Sequence, residues 1–262
     1  MTKIYTKESL IEELKVIRGQ GFIESSRHGN HGGIGNTLED LLGIEENNLP
    51  LPNAAEWELK AARIKGTSLT TLLHVEPSPR ALKLVVSTLL PFYGWAHKEA
   101  GRKHPEHFLS FRQTINGLNR TDRGFKVVID EAERKVLISF DSSAVAIKHA
   151  EWLKTVEARA GNLQELNPQP YWGFDDLHHA LGAKLTNCFY IQAAVKKING
   201  QEFYHYQSIK KLVRFDFEKF LQAMRDGLVL VDFDARTSKN HGTKFRLKQN
   251  YLQNLYDEVE EI

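Results

Sequence analysis

The chain has one cysteine, Cys188, so no disulfide can close within it. That residue lies in the apolar run "TNCFYIQAAV", which suits a buried thiol in a reducing compartment better than a nucleophile. Long hydrophobic runs are absent too. Nowhere do about 18 apolar residues follow one another, and "MTKIYTKESL" has no apolar signal core, so neither membrane insertion nor secretion is expected and a cytoplasmic location is. Excess charge is also missing: 35 Lys+Arg against 33 Asp+Glu leave +2, so any nucleic-acid affinity must come from local clusters. There is no internal repeat or low-complexity tract. What remains is a chain of 262 residues with 41% hydrophobic content, enough for the core of one large domain or two lobes.

Helical and strand periods alternate along the chain, which predicts an α/β protein. "KESLIEELKVIR" places Leu10, Ile11, Leu14 and Ile17 on one helical face. Thr37 is expected to cap a second helix, "LEDLLGIEEN", with Glu39 and Asp40 in its first turn. "EWELKAARI" alternates, with Trp57 and Leu59 on one side and Glu58 and Lys60 on the other, as in a strand. "SLTTLLHVE" reads as a further strand, and "KVVID" and "KVLISF" flank a polar turn as a hairpin. Residues 144–160 read as helix. "DDLHHALGAKL" is a helix capped by Asp175 that runs into the strand "NCFYIQAAV". A new segment is expected from Gln201, with the helix "FDFEKFLQAMRDG", the strand "LVLVDFDAR" and the loop "TSKNHGTKFRLK".

The chemistry-bearing residues cluster in few places. Residues two apart on a strand point the same way, so Glu58 and Lys60 can converge on one phosphate, the carboxylate holding a hard dication and the ammonium neutralising charge. Glu39 can reach the same site from the preceding helix. "TSKNHGTKFRLK" gathers Lys239, Asn240, His241, Lys244 and Arg246, donors suited to phosphates and to guanine N7 and O6; a solvated basic loop is the plain alternative. Arg236 fits either class. Arg27, His28 and His31 in "SSRHGNHGG" suit a DNA clamp or an ordinary surface turn. His178 and His179 lack metal-ligand spacing and read as helix surface, and the aromatics of "FYHYQ" read as packing.

The stretch "GIGNTLEDLLGIEENNLPLPNAAEWELKAAR" resembles the active-site region of the MvaI/BcnI family of restriction endonucleases, relatives of the MutH nickase with a PD-(D/E)XK fold. The likeness continues in order through "YWGFDDLHHALGAKL", "QEFYHYQS", "LVLVDFDA" and "NHGTKFRL", over most of the chain. The resemblance implies a mixed sheet flanked by helices with a second, smaller DNA-recognition lobe. The expected division is a catalytic lobe over 1–200, with roughly 80–165 partly an insertion, and a recognition lobe over 201–262. It further implies Mg²⁺-dependent cleavage of double-stranded DNA at a short specific sequence by a monomer. In this pattern Glu58 is a metal ligand, Lys60 the catalytic lysine, Glu39 the helix glutamate and the Leu59 carbonyl a further ligand. Arg246 and His241 become the principal base readers.

The pattern breaks at one place. Asn53 stands where the family has a metal-binding aspartate, and an amide is a poor ligand for Mg²⁺. The chain is therefore expected to be an impaired nuclease. Two other readings stay open: a DNA-binding module that has lost catalysis, and a MutH-like repair nickase.

Overall fold

The computed structural model of the protein describes residues 5–26, 33–44 and 56–262. Asn53, Arg27, His28 and His31 lie outside them. In chain order the elements are α1 (Lys7–Gly19), β1 (Ile23–Glu24), α2 (Gly33–Leu42), β2 (Glu58–Arg63), β3 (Leu69–His74), α3 (Leu90–Tyr93), β4 (Trp95–Ala96), β5 (Leu109–Asn116), β6 (Arg123–Asp130) and β7 (Lys135–Val145). They continue as α4 (Ala150–Ala160), β8 (Tyr171–Gly173), α5 (Phe174–Leu185), β9 (Asn187–Ile198), β10 (Gln201–Phe215), α6 (Phe217–Arg225), β11 (Val229–Arg236), β12 (Lys239–Lys248) and β13 (Tyr256–Glu261). The protein is mixed α/β, as the alternating periods predict.

The chain forms two compact units, each discontinuous in sequence. The first comprises Met1–Thr70, His179–Lys219 and Lys248–Ile262. Its sheet runs in the order β1-β10-β9-β2, with β13 also paired to β10. The hairpin β9–β10 turns through Asn199 and Gly200, whose φ angles of 52° and 84° are both left-handed, the pair that favours a two-residue turn. Parallel pairing sets β2 beside β9, Glu58 opposite Cys188 and Lys60 opposite Tyr190. One core packs Leu10, Leu14 and Ile17 of α1 and Leu38 and Leu42 of α2 with Trp57, Leu59, Phe189, Ile191, Tyr204 and Tyr206. Burying each such side chain is worth roughly 1.5–3 kcal/mol, which fixes which side of β2 turns inward.

The second unit comprises Thr71–His178 and Phe220–Leu247. It holds the sheet β3-β12-β11-β5-β4 and the smaller sheet β6-β7-β8. Its core is aromatic: Phe125 lies within 5.5 Å of Phe111 and 5.1 Å of Phe140, and Tyr93 within 5.2 Å of Phe140, ring centre to ring centre.

Several expectations are corrected. α2 begins at Gly33, so Thr37 is not a cap; it is buried inside the helix and its hydroxyl accepts from Ser26 N at 3.2 Å. Glu39 and Asp40 accordingly sit outside the first turn. Residues 144 and 145 belong to β7, and α4 starts only at Ala150. "TSKNHGTKFRLK" is not a loop but the turn Thr237–Ser238 followed by β12. The β9–β10 hairpin, which spans Gln201, lies wholly in the first unit, and residues 80–165 fall within Thr71–His178, the longer segment of the second unit, which stands in sequence between two segments of the first.

Candidate functional site

The alternation of β2 does what the sequence pattern predicts. Trp57 and Leu59 enter the core, the Trp57 ring 4.6 Å from Phe189, and this drives Glu58 and Lys60 to the opposite face. Glu58 is only 1% exposed, an unusual place for a carboxylate unless cations accompany it. Two do. Lys60 Nζ donates to Glu58 Oε1, and Lys184 Nζ, from the last turn of α5, lies 3.7 Å from the same oxygen. Lys60 and Lys184 are themselves largely covered, with 14% and 16% of their side chains exposed.

Burial pushes the Lys184 ammonium below its ordinary pKa, while Glu58 opposes that shift, Lys60 adds to it and Glu39 also opposes it. Glu39 is thus close enough for its charge to be felt at Lys184, although it occupies the middle of α2 and not its first turn. Behind the pair, burial pushes the Cys188 thiol and the Tyr190 hydroxyl both up to about 12, so neither is a nucleophile near neutral pH. The tyrosines of "FYHYQ" pack as expected: Tyr204 and Tyr206 are buried, and the Tyr206 hydroxyl donates to Ile34 O at 2.8 Å. His178 and His179 are exposed on α5.

The donors near Glu58 fit a hard dication in kind: a carboxylate, the Leu59 backbone carbonyl and the Glu39 carboxylate all offer oxygen. They do not make a cage, since no group of three or more His, Cys, Asp or Glu able to hold a metal occurs among the described residues.

The expected recognition residues fall on the hairpin β11–β12. Val229, Val231, Phe233 and Ala235 are buried, and the residues between them turn outward. The outward row of β11 carries Asp232, Asp234 and Arg236, opposite Thr114, Arg112 and Ser110 of β5. Asp232 accepts from Thr114 Oγ1 at 3.0 Å and from Arg246 Nη1 at 3.2 Å, and Arg112 Nε lies 2.6 Å from Asp234. Arg246 is thereby fixed by a carboxylate, and Lys244 stands opposite Asp232 in the strand register.

Lys239, Asn240 and His241 are exposed just past the turn. The Asn240 amide donates to Glu76 at 3.2 Å, and Thr243 binds that carboxylate through both its backbone N–H and its hydroxyl at 3.1 Å. Arg236 reaches His104 Nε2 at 3.4 Å, and its Nε is buried with no hydrogen-bond partner among the described residues. Sequence reasoning missed Lys184, Arg112, Asp232 and Asp234. The alternation in "LVLVDFDAR" carried a signal for the two aspartates, because it already turned both acids outward.

The sequence profile of the MvaI/BcnI restriction endonuclease family matches residues 11–256. No curated protein matches the chain. In fold it is similar to the restriction endonuclease MvaI in complex with its cognate DNA, with a TM-score of 0.75 and 26% identity over 98% of this chain and 99% of that one. To MvaI in the absence of DNA the TM-score is 0.55, with 25% identity over 100% of both chains. The profile spans nearly the whole chain and takes in β2, α5 and the β11–β12 hairpin alike, so the chain belongs to the MvaI/BcnI restriction endonuclease family.

Proposed function

We propose that the protein is a Mg²⁺-dependent endonuclease of double-stranded DNA that recognises a short sequence and is weakened by Asn53. One observation carries the proposal: Glu58 and Lys60, side by side on β2 in a chain of a restriction endonuclease family, form a nearly buried carboxylate–ammonium pair. Family membership supports a DNA endonuclease, and the cognate DNA bound by the similar MvaI supports a DNA partner.

In this reading Glu58, the Leu59 carbonyl and the residue at 53 would hold the ion. When bound, Mg²⁺ supplies Lewis-acid polarisation of a phosphoryl oxygen and an acidified water. Lys60 stands beside the attacked phosphate, where its ammonium neutralises charge as the phosphorus gains its fifth oxygen. Because Lys60 is largely withdrawn from water, that charge acts through a lower dielectric than at a surface. Arg246, held by Asp232, and Arg236 and His241 offer donors to base edges, while Lys239 and Lys244 serve the phosphates. Arg27 and His31 complete the proposed DNA contacts, and the protein acts as a cytoplasmic monomer.

The test compares the chain as it stands with Asn53→Asp on supercoiled plasmid and Mg²⁺. The aspartate form is expected to give linear DNA with discrete ends, about a hundredfold faster, which corresponds to ~2.7 kcal/mol of barrier. Nicked circles alone would turn the reading toward a nickase. Retarded but intact DNA with both forms would leave a sequence-specific binding protein.

A further inference from the structure

The buried carboxylate of Glu58 is served by two ammoniums, and they are not equivalent. Lys60 is hydrogen-bonded to Oε1 from the same strand, two residues on, where the period of β2 keeps it whatever else binds. Lys184 comes from a separate element, α5, and its Nζ stands 3.7 Å from that oxygen, beyond good hydrogen-bond length but within ion-pair range. An oxygen already serving two cations offers little to a third.

We propose, building on the metal-site reading of Glu58, that Lys184 is the resident counter-cation of this carboxylate and competes with a divalent ion for it, so that loading the site requires the Lys184 ammonium to leave Oε1.

Charge counting supports the competition. The Glu58 carboxylate already has two cations, Lys60 and Lys184, within ion-pair range of one of its oxygens before any metal ion arrives. A dication approaching this largely buried carboxylate meets two close repulsions, from Lys60 and Lys184. With its side chain only 16% exposed, the Lys184 ammonium is held largely out of water beside Glu58. Once the ion enters, a DNA phosphate oxygen offers the freed ammonium an anionic partner. Metal and DNA should therefore bind cooperatively, each relieving the charge the other brings.

The test titrates Mn²⁺ alone into the DNA-free protein and follows free Mn²⁺ by electron paramagnetic resonance. Lys184→Met removes the charge and keeps the volume; Lys184→Gln keeps a polar end should the methionine form fold poorly, with circular dichroism as the check. Both are expected to bind Mn²⁺ about tenfold more tightly than the unaltered chain, and Lys184→Arg is expected to restore the weaker binding. A merely structural lysine would move affinity the other way or not at all. Equal or weaker binding in the two neutral variants, including no binding by any form, overturns the proposal. Glu58→Gln separates the two readings. If it leaves Mn²⁺ binding unchanged, Glu58 is not a metal ligand and the site reading fails. If it abolishes binding while the neutral Lys184 variants match the unaltered chain, only the role given to Lys184 fails.

Discussion

The two charged regions of the molecule are built oppositely. On β2 a carboxylate, 1% exposed, is locked by two lysines whose side chains are also mostly covered. On β11 and its neighbours the carboxylates alternate with buried apolar residues and each pairs with an arginine from another strand that is a third to a half exposed: the side chains of Arg246 and Arg112 are 32% and 53% exposed. Charges held out of water act strongly on whatever shares their cavity and tolerate no loss of a partner. Those on the sheet face are nearly free to exchange a protein partner for a ligand, because water screens what the exchange costs. The first arrangement suits chemistry on one phosphate. The second suits reading a surface that varies from site to site.

Breaking the buried arrangement should have the largest effect. In a form carrying aspartate at 53, Lys60→Ala is expected to slow cleavage on the order of a thousandfold or more, equivalent to ~4 kcal/mol of barrier, and to keep specific retardation of DNA on gels with Ca²⁺. Cleavage at a near-normal rate would remove the chemistry from β2. Next comes Asn53→Asp in the otherwise unaltered chain, with the roughly hundredfold gain already stated, which rests on one metal ligand rather than on the catalytic cation. If the asparagine form cuts as fast, position 53 holds no metal.

The exposed arrangement should respond less and more selectively. Arg246→Ala is expected to cost roughly 1–3 kcal/mol on the cognate site and almost nothing on random DNA, because a guanidinium oriented by Asp232 is set up for a forked contact. Equal losses on both DNAs, measured by fluorescence anisotropy at one salt concentration, would make it a phosphate contact. Asp232→Asn sharpens the point, since freeing Arg246 without removing it should lower discrimination while leaving non-specific affinity unchanged or slightly raised.

How far these regions could be read from the residues follows from the range of the interactions. Glu58 and Lys60 were legible because their convergence depends only on the two-residue period of one strand. Lys184 was not, because its place beside Glu58 depends on β2 lying parallel to β9 and on α5 leading into β9, a relation no local pattern carries. The pairing of Thr114 with Asp232 spans 118 residues and is equally silent in the sequence. One difference is local. Asn199-Gly200 is the turn that joins β9 to β10, and the polar run after Arg236, expected as a loop, hides a turn of only Thr237 and Ser238, with Ser238 left-handed at φ 69°. Polar composition suggested a loop there, but the alternation of Thr243, Phe245 and Leu247, all buried, carried the strand.

The smallest expected effect tests whether the hairpin is divided by role. Lys239 is exposed at the start of β12, opposite Arg236, and no carboxylate among the described residues holds it by a salt bridge within 4.0 Å, in contrast to Arg246. A flexible ammonium with a free tip is a point charge, suited to a phosphate and blind to sequence. Lys239→Ala should therefore weaken cognate and random DNA alike, and lower the slope of log affinity against log salt by about one. Between 50 and 200 mM salt one such contact changes affinity by roughly three- to fourfold, so the loss should be largest at the low end of that range and shrink toward the high end. A loss confined to the cognate site would put Lys239 among the base readers with Arg246 and erase the division of roles along β12. An unchanged salt slope would return Lys239 to solvent, leaving the paired arginines as the whole of the exposed site.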